Sequence, residues 1–190
     1  MKINGHTISY TFTIAVFLFA LIAGTTTRVF SVSSGSMMPT IQIGDYIIVD
    51  TNCSRTAVQV LPWCALRRSE IVLFRRPAGF GPTNDADRTV KRIVGLPGDR
   101  VCINEGRLYV NGNYVREPYI SNGKYTELED RMSWPLGIGC GDHGVLVPHD
   151  SIFLLGDNRR LSLDSRLFGP VNIHNVIGPV LFTIHKRWMP

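Results

Sequence analysis

An uncharged apolar stretch near the N-terminus constrains this 190-residue chain more than any other feature. Residues 8–24 read ISYTFTIAVFLFALIAG, and Thr25–Thr27 extend the uncharged run as far as Arg28. As a helix at ~1.5 Å per residue, 8–24 alone would be about 25 Å long, slightly short of a hydrocarbon core of ~30 Å. A cleaved leader would need small residues at alternate positions, which Leu21 and Ala23 fit poorly. The stretch therefore predicts a retained transmembrane anchor.

Composition narrows the possible partners of the rest of the chain. The length favours one main domain with a sizeable core. The net charge is +5 and the pI about 9.2, which suits an anionic membrane surface or nucleic acid. The basic residues are scattered as pairs and do not form a stripe along one helix, so we expect no nucleic-acid partner. Lys2 precedes the apolar stretch and Arg28 follows it, so charge barely decides the orientation of the anchor.

A short turn rich in hydroxyl groups follows the apolar stretch. Residues 33–40 read SSGSMMPT. Gly35 permits unusual backbone angles between two hydroxyl groups, and Pro39 restricts φ and stiffens the exit. A nucleophile beside an oxyanion donor needs one hydroxyl held in a fixed direction with another next to it, which this turn can provide through Ser34 and Ser36. The alternative is a plain Ser/Gly linker between an anchor and a domain.

A lysine lies within an apolar strand in the middle of the chain. Residues 89–99 read TVKRIVGLPGD. Side chains alternate along a strand, so Lys91 and Ile93 share one face while Val90 and Arg92 share the other. Burial among Val and Ile would disfavour the ammonium and lower the lysine pKa, so that a neutral amine could accept a serine proton near neutral pH. The alternative is an edge-strand lysine that reaches solvent.

A polar turn between two apolar strands forms a third cluster. The strand 152–155 runs into GDNR at 156–159, and SLDSRLFGPV follows from Ser162. Asp164 and Arg166 are two residues apart and can form a carboxylate–guanidinium pair that braces the loop. A surface loop with a few salt bridges is the simpler interpretation, but it does not account for the particular order of these residues.

Taken in order, the three stretches resemble the sequence boxes of type I signal peptidases, the Ser/Lys membrane proteases of family S26. The resemblance runs from Ser34 to Val171 and leaves the loops between the boxes unmatched. It implies a mostly β fold, with an N-terminal transmembrane helix followed by an antiparallel β-sheet catalytic domain of signal-peptidase type. Family members commonly carry Asp-Asn where this chain has Arg160-Leu161, and the resemblance assigns no role to that pair.

The resemblance also assigns catalytic roles. Ser36 would attack the scissile carbonyl, Lys91 would remove its proton, and the Ser36 amide with the Ser34 hydroxyl would stabilise the oxyanion. Ser162 would hydrogen-bond to the lysine amine and orient it. The residues expected to support the dyad around it are Asp157, Asn158, Asp164 and Arg166.

The implied substrate is an extended peptide that adds as a strand and places small side chains in shallow pockets. The residues expected to contact it are Val32, Met37, Ile41, Arg88, Thr89 and Val90. We expect no cofactor and no metal, because the five histidines do not cluster with the boxes and the cysteines lack paired spacing.

The resemblance implies removal of signal peptides from exported preproteins, with signal peptides and the lipid bilayer as partners. Residues 1–30 would form a cytoplasmic tip and single-pass anchor in a bacterial inner membrane, and 31–190 a periplasmic β catalytic domain. A dedicated maturation peptidase, for example for conjugative pilin, would use the same chemistry. An inactive membrane-anchored domain that binds peptides is an alternative from a different class.

Four cysteines beyond a membrane span suggest up to two disulfides in an oxidising compartment. Three pairings are possible, of which we favour Cys53–Cys64 with Cys102–Cys140. Free buried thiols are the alternative.

Overall fold

The computed structural model describes residues 27–52, 65–80, 87–120, 140 and 144–188. Of the predicted anchor, residues 1–26 lie outside these ranges, whereas Thr27–Phe30 lie within them and belong to a strand. The predicted pairing of Cys53 with Cys64 also lies outside these ranges. Within them, no helix has the length and apolar character needed to cross a bilayer.

The described residues form two antiparallel sheets. One sheet has seven strands in the order β1-β2-β11-β3-β4-β9-β10, and the other has four in the order β7-β6-β5-β8. A single helical turn, α1, covers Ser165–Phe168. The strands are β1 Thr27–Ser31, β2 Tyr46–Asp50, β3 Ile71–Arg75, β4 Arg88–Gly95, β5 Arg100–Asn104, β6 Arg107–Val110, β7 Asn113–Tyr114, β8 Val145–Leu146, β9 Ser151–Leu155, β10 Val171–Asn172 and β11 Val176–Ile184. The prediction of a mostly β, antiparallel fold is therefore confirmed for this part of the chain.

Strand β4 lies inside the larger sheet and is covered on both faces. Its neighbours are β3, which pairs Val72 with Lys91, and β9, which pairs Leu154 with Ile93. Every residue from Val90 to Gly95 is buried. Because both faces are covered, the lysine side chain has no route to solvent along either face of the sheet.

Three apolar clusters surround this strand. One lies on the lysine face and includes Ile93, Phe74 and Leu154. A second lies on the opposite face, where Val90 packs with Met37 and other residues near the hydroxyl-rich turn. A third joins the end of β4 to the smaller sheet. The turn that carries Ser36 and strand β4 therefore pack into the same apolar cluster, which holds them together.

The turns of the smaller sheet form where the local sequence favours them. Glu105-Gly106 and Asn111-Gly112 have positive φ angles and connect the short strands β5, β6 and β7 as tight turns. Cys102 on β5 is joined to Cys140 by a disulfide, with the two Cα atoms 5.2 Å apart. This is the Cys102–Cys140 pairing that the sequence analysis favoured, and the disulfide itself stays a prediction.

Candidate active site

Ser36 lies in a single turn of 3-10 helix, Gly35–Met37. Ser34 caps the turn, since its Oγ accepts a hydrogen bond of 3.3 Å from the Ser36 N–H. Met37 is buried in the core, and its carbonyl accepts from the Ile41 N–H at 3.0 Å. These contacts hold the backbone of the turn that carries Ser36, whose side chain is buried.

The Lys91 amine lies beside the Ser36 hydroxyl, although 55 residues separate them in the chain. Lys91 Nζ is 2.6 Å from Ser36 Oγ, 2.8 Å from the Val90 carbonyl oxygen and 3.1 Å from Thr89 Oγ1. The side chain is 1 % exposed. The pKa of Lys91 is lowered from 10.5 to about 8, chiefly by burial; Arg76 and Arg166 also lower it, and Asp164 and Asp157 oppose the shift. A sizeable fraction of the amine is therefore neutral at mildly alkaline pH.

The third cluster packs directly against the nucleophile turn. Asn158 donates its backbone N–H to the Ser36 carbonyl at 3.0 Å and its side-chain amide to the Gly35 carbonyl at 3.1 Å. Gly156 makes this approach possible, because a Cβ there would lie 2.5 Å from the Ser36 carbonyl oxygen and 2.2 Å from Ser162 Oγ. Any larger residue at Gly156 would push the two chain segments apart.

Ser162 is close to the site, but its hydroxyl does not contact the lysine as the resemblance implied. The Ser162 Oγ is buried and has no hydrogen-bond partner among the described residues. The three N–H positions of the Lys91 ammonium are already taken by the oxygens of Ser36, Thr89 and Val90. The expected bond from Ser162 to the amine is therefore not formed in this structure.

Asp164 and Arg166 form the expected ion pair behind the site. Arg166 Nε and Nη2 donate to the two oxygens of Asp164 at 2.7 and 3.0 Å, and both side chains are buried. Asp164 also accepts the Gly156 N–H at 3.0 Å, and Arg166 donates to the Arg159 carbonyl at 2.6 Å. The pair thereby holds the polar loop after β9 in one conformation.

Asp157 connects the same loop to the lysine strand and to the nucleophile turn. Its carboxylate accepts from Arg92 Nε at 2.8 Å, from Arg92 Nη2 at 2.5 Å and from the Thr40 hydroxyl at 2.5 Å. The Arg92 guanidinium in turn lies 3.9 Å from the centre of the Tyr119 ring. Sequence reasoning placed Arg92 on the opposite strand face from Lys91 but missed Thr40 and Tyr119, whose partners are remote in sequence.

A second buried ion pair supports this region and was also missed. The Arg159 guanidinium contacts the Glu117 carboxylate, and both side chains are almost completely buried. Glu117 also accepts from the Tyr119 hydroxyl at 2.7 Å, and burial together with the Glu117 charge raises the pKa of Tyr119. A lone Glu in the segment after β7 offered no sequence signal of a partner 42 residues away.

A cavity of about 300 Å3 lies beside Ser36. Of the expected substrate contacts, all but Ile41 line it; Ile41 is fully buried and packs beneath the turn. Phe30, Ile47 and Leu73 also line it and were missed, because each lies on a strand with no motif. The Arg88 guanidinium is 5.5 Å from the centre of the Phe30 ring and brings a positive charge to the rim.

The described residues contain no group of three or more His, Cys, Asp or Glu side chains arranged to hold a metal ion. Independence of the site from metal stays a prediction that requires an experiment.

Comparison of the sequence with known proteins identifies the family that it matches. Residues 6–185 match the family described as signal peptidase, peptidase S26. The chain is 37 % identical over 151 residues to signal peptidase I of Bacillus caldolyticus, covering 80 % of this chain and 75 % of that protein. It is 31 % identical over 151 residues to signal peptidase I V of Bacillus subtilis strain 168, covering 80 % and 82 %.

A solved structure is also similar in sequence. The crystal structure of a signal peptidase I from Enterococcus faecalis V583 is 33 % identical, with a TM-score of 0.46, and covers 62 % of this chain and 97 % of that one. The family match extends over nearly the whole sequence and the two Bacillus relatives over four fifths of it, so the chain belongs to the signal peptidase family, peptidase S26.

Proposed function

We propose that this chain is a membrane-bound serine endopeptidase that removes N-terminal signal peptides from exported preproteins. The observation that carries the proposal is the 2.6 Å contact between Lys91 Nζ and Ser36 Oγ in a buried site that opens on a peptide-sized cavity. A lysine whose pKa is lowered by burial is a suitable base for a serine nucleophile at neutral to mildly alkaline pH.

The proposed reaction proceeds through an acyl-enzyme. Ser36 Oγ attacks the scissile carbonyl while the neutral Lys91 amine takes the hydroxyl proton. The resulting ammonium then protonates the leaving amine as the peptide bond breaks. Water attacks the ester in the second step, with Lys91 again accepting and returning a proton, which releases the signal peptide and regenerates Ser36.

The oxyanion would be stabilised by the Ser36 N–H and the Ser34 hydroxyl. In this structure the Ser36 N–H donates to Ser34 Oγ at 3.3 Å, a long bond that is weak. Both groups are therefore available when negative charge develops on the substrate oxygen, and exchanging the weak bond for one to an oxyanion is favourable.

An extended substrate strand can pair with the part of β4 that β9 does not cover. Strand β9 pairs with β4 from Arg92 onward, whereas Thr89 and Val90 pair with β3 and also line the cavity. The opposite wall of the cavity is formed by residues around Val32–Ser34. Alternate side chains of such a strand would point into the cavity, whose volume admits small residues.

The outer face of the larger sheet supports a location at the membrane. Val29, Ile48 and Phe182 lie opposite one another on β1, β2 and β11, and Tyr46 and Ile184 continue the row. Val29 is 60 % and Phe182 68 % exposed. An exposed apolar surface of this kind fits a bilayer better than water. Thr27–Phe30, which the sequence assigned to the anchor, pair with β2 in this sheet. We propose that the residues before Thr27 anchor the chain and that the residues from Thr27 onward form a periplasmic domain.

The test is cleavage of a model preprotein by the full chain in detergent. Wild type should release the mature protein, whereas Ser36→Ala and Lys91→Arg should not, because Arg stays protonated. Thr183→Ala, which removes a hydroxyl on β11 that does not line the cavity, is the control and should cleave normally.

Three outcomes distinguish the alternatives. Cleavage of a pilin precursor but of no generic preprotein would indicate a dedicated maturation peptidase. Binding of preprotein without cleavage by wild type would indicate an inactive peptide-binding domain. Cleavage by Ser36→Ala at the wild-type rate would contradict the proposed chemistry.

A further inference from the structure

The surroundings of the Lys91 amine identify a residue that neither the sequence motifs nor the family resemblance singled out for this purpose. Thr89 precedes Lys91 by two residues on β4, so the two side chains project from the same face of the strand. Thr89 Oγ1 lies 3.1 Å from Lys91 Nζ. Thr89 also lines the cavity, which fits the substrate contact that the family resemblance implied for it.

The contact between Thr89 and Lys91 matters because the charged and neutral forms of the amine have different numbers of hydrogen-bond donors. An ammonium has three N–H donors, and the three oxygens around Lys91 Nζ match them. A neutral amine has two N–H donors and one lone pair. The Val90 carbonyl can only accept, so it takes one N–H of the neutral amine. If Thr89 Oγ1 accepts the other N–H, the lone pair of the nitrogen faces the Ser36 hydroxyl.

Ser162 does not supply this restraint. Its hydroxyl is buried against Gly156 and has no partner in the described part of the chain. Without Thr89, one N–H of the neutral amine would lack an acceptor, and the Cε–Nζ bond could rotate the lone pair away from Ser36.

We infer that Thr89 is a positioning residue for the lysine base: its hydroxyl accepts one N–H of Lys91 and, together with the Val90 carbonyl, turns the lone pair toward Ser36. The inference rests on the proposed function, because it concerns the proton transfer from Ser36. It assigns Thr89 the orienting task that the family resemblance gave to Ser162.

The variant that tests the inference is Thr89→Val, which keeps the β-branched shape and removes the hydroxyl. Loss of a hydrogen bond that leaves a buried donor unsatisfied corresponds to a fall in kcat of about tenfold or more, with KM within about twofold of wild type. Thr89→Ser restores the hydroxyl and should recover most of the rate. Thr183→Val on β11 removes a comparable half-buried hydroxyl away from the site and should behave as wild type.

The pH profile separates a positioning role from a merely structural one. The Thr89 oxygen stabilises the ammonium more than the neutral amine, so its loss should move the acid limb of kcat to lower pH. The other charges that act on Lys91 are Asp157 and Asp164, which raise its pKa, and Arg76 and Arg166, which lower it. None of these four is altered in the Thr89 variants.

Each result of this experiment decides the inference. A Thr89→Val enzyme with normal kcat would overturn the inference. A raised KM with an unchanged kcat would also overturn it and would make Thr89 a substrate contact. Equal loss in Thr89→Ser and Thr89→Val, or a lowered kcat with an unmoved acid limb, would also overturn it. Failure of the proposed function is recognised separately, by cleavage that persists in Ser36→Ala.

Discussion

Replacing Lys91 with methionine should change how the stability of the fold depends on pH. Burial lowers the pKa of this amine from 10.5 to about 8. Between these values the unfolded chain binds the proton that the folded chain has lost, so wild-type stability rises as pH increases from about 8 to 10.5. The difference of 2.5 units (10.5 − 8), at ~1.36 kcal/mol per unit, corresponds to about 3 kcal/mol.

Lys91→Met removes the titrating group and keeps an unbranched side chain of similar length. It also leaves the Val90 carbonyl without its donor, which costs ~1–3 kcal/mol at every pH. The informative quantity is therefore the pH dependence of the difference in free energy of unfolding between wild type and variant. That difference should shift by about 3 kcal/mol in favour of wild type between pH 7 and 10.5.

Urea denaturation of the full chain in detergent, followed by circular dichroism with the disulfide kept oxidised, measures this quantity. Lys186→Met, which alters an exposed lysine, is the matched control and should differ from wild type by a nearly constant amount over the same range. A Lys91→Met difference as flat as that of Lys186→Met would mean that the amine keeps an ordinary pKa in the folded protein. The reasoning that makes Lys91 a general base near neutral pH would then fail.

Three further measurements test other parts of the structure. Arg159→Met leaves the Glu117 carboxylate buried without its ion pair and should lower the free energy of unfolding by ~3–5 kcal/mol. Arg107→Met at an exposed position should change it by less than ~0.5 kcal/mol, and equal effects in urea titrations would argue against a buried pair. Replacing Cys102 and Cys140 together by alanine should cost ~2–4 kcal/mol in the same assay, and an unchanged midpoint would show that the bridge does not constrain the unfolded chain. Preprotein cleavage should be unaffected by a chelator, and loss of activity that zinc restores would reveal a metal requirement.

Much of the fold could be predicted from local sequence because strands and tight turns depend on neighbouring residues. The run Val90–Val94 is apolar apart from its two basic residues, and it forms a buried strand. Asn111-Gly112 connects two strands because both residues adopt positive φ readily. The pairing of Cys102 with Cys140, one of three that the sequence left open, agrees with the geometry of the structure. The sequence motifs also selected Ser36 and Lys91, the two side chains that the fold brings into contact.

The detailed geometry around those two residues was decided by tertiary structure. Alternation along β4 predicts that Thr89 and Lys91 share a face, but it does not reveal which hydroxyl the amine meets, since Ser162 lies 71 residues (162 − 91) from Lys91 in the chain. The same holds for Glu117, whose partner lies on a different segment. Such contacts depend on strand register and on how loops pack across the sheet. Local sequence therefore determined which groups were available, and long-range packing determined which of them meet, because a hydrogen bond is lost with a displacement of about 1 Å.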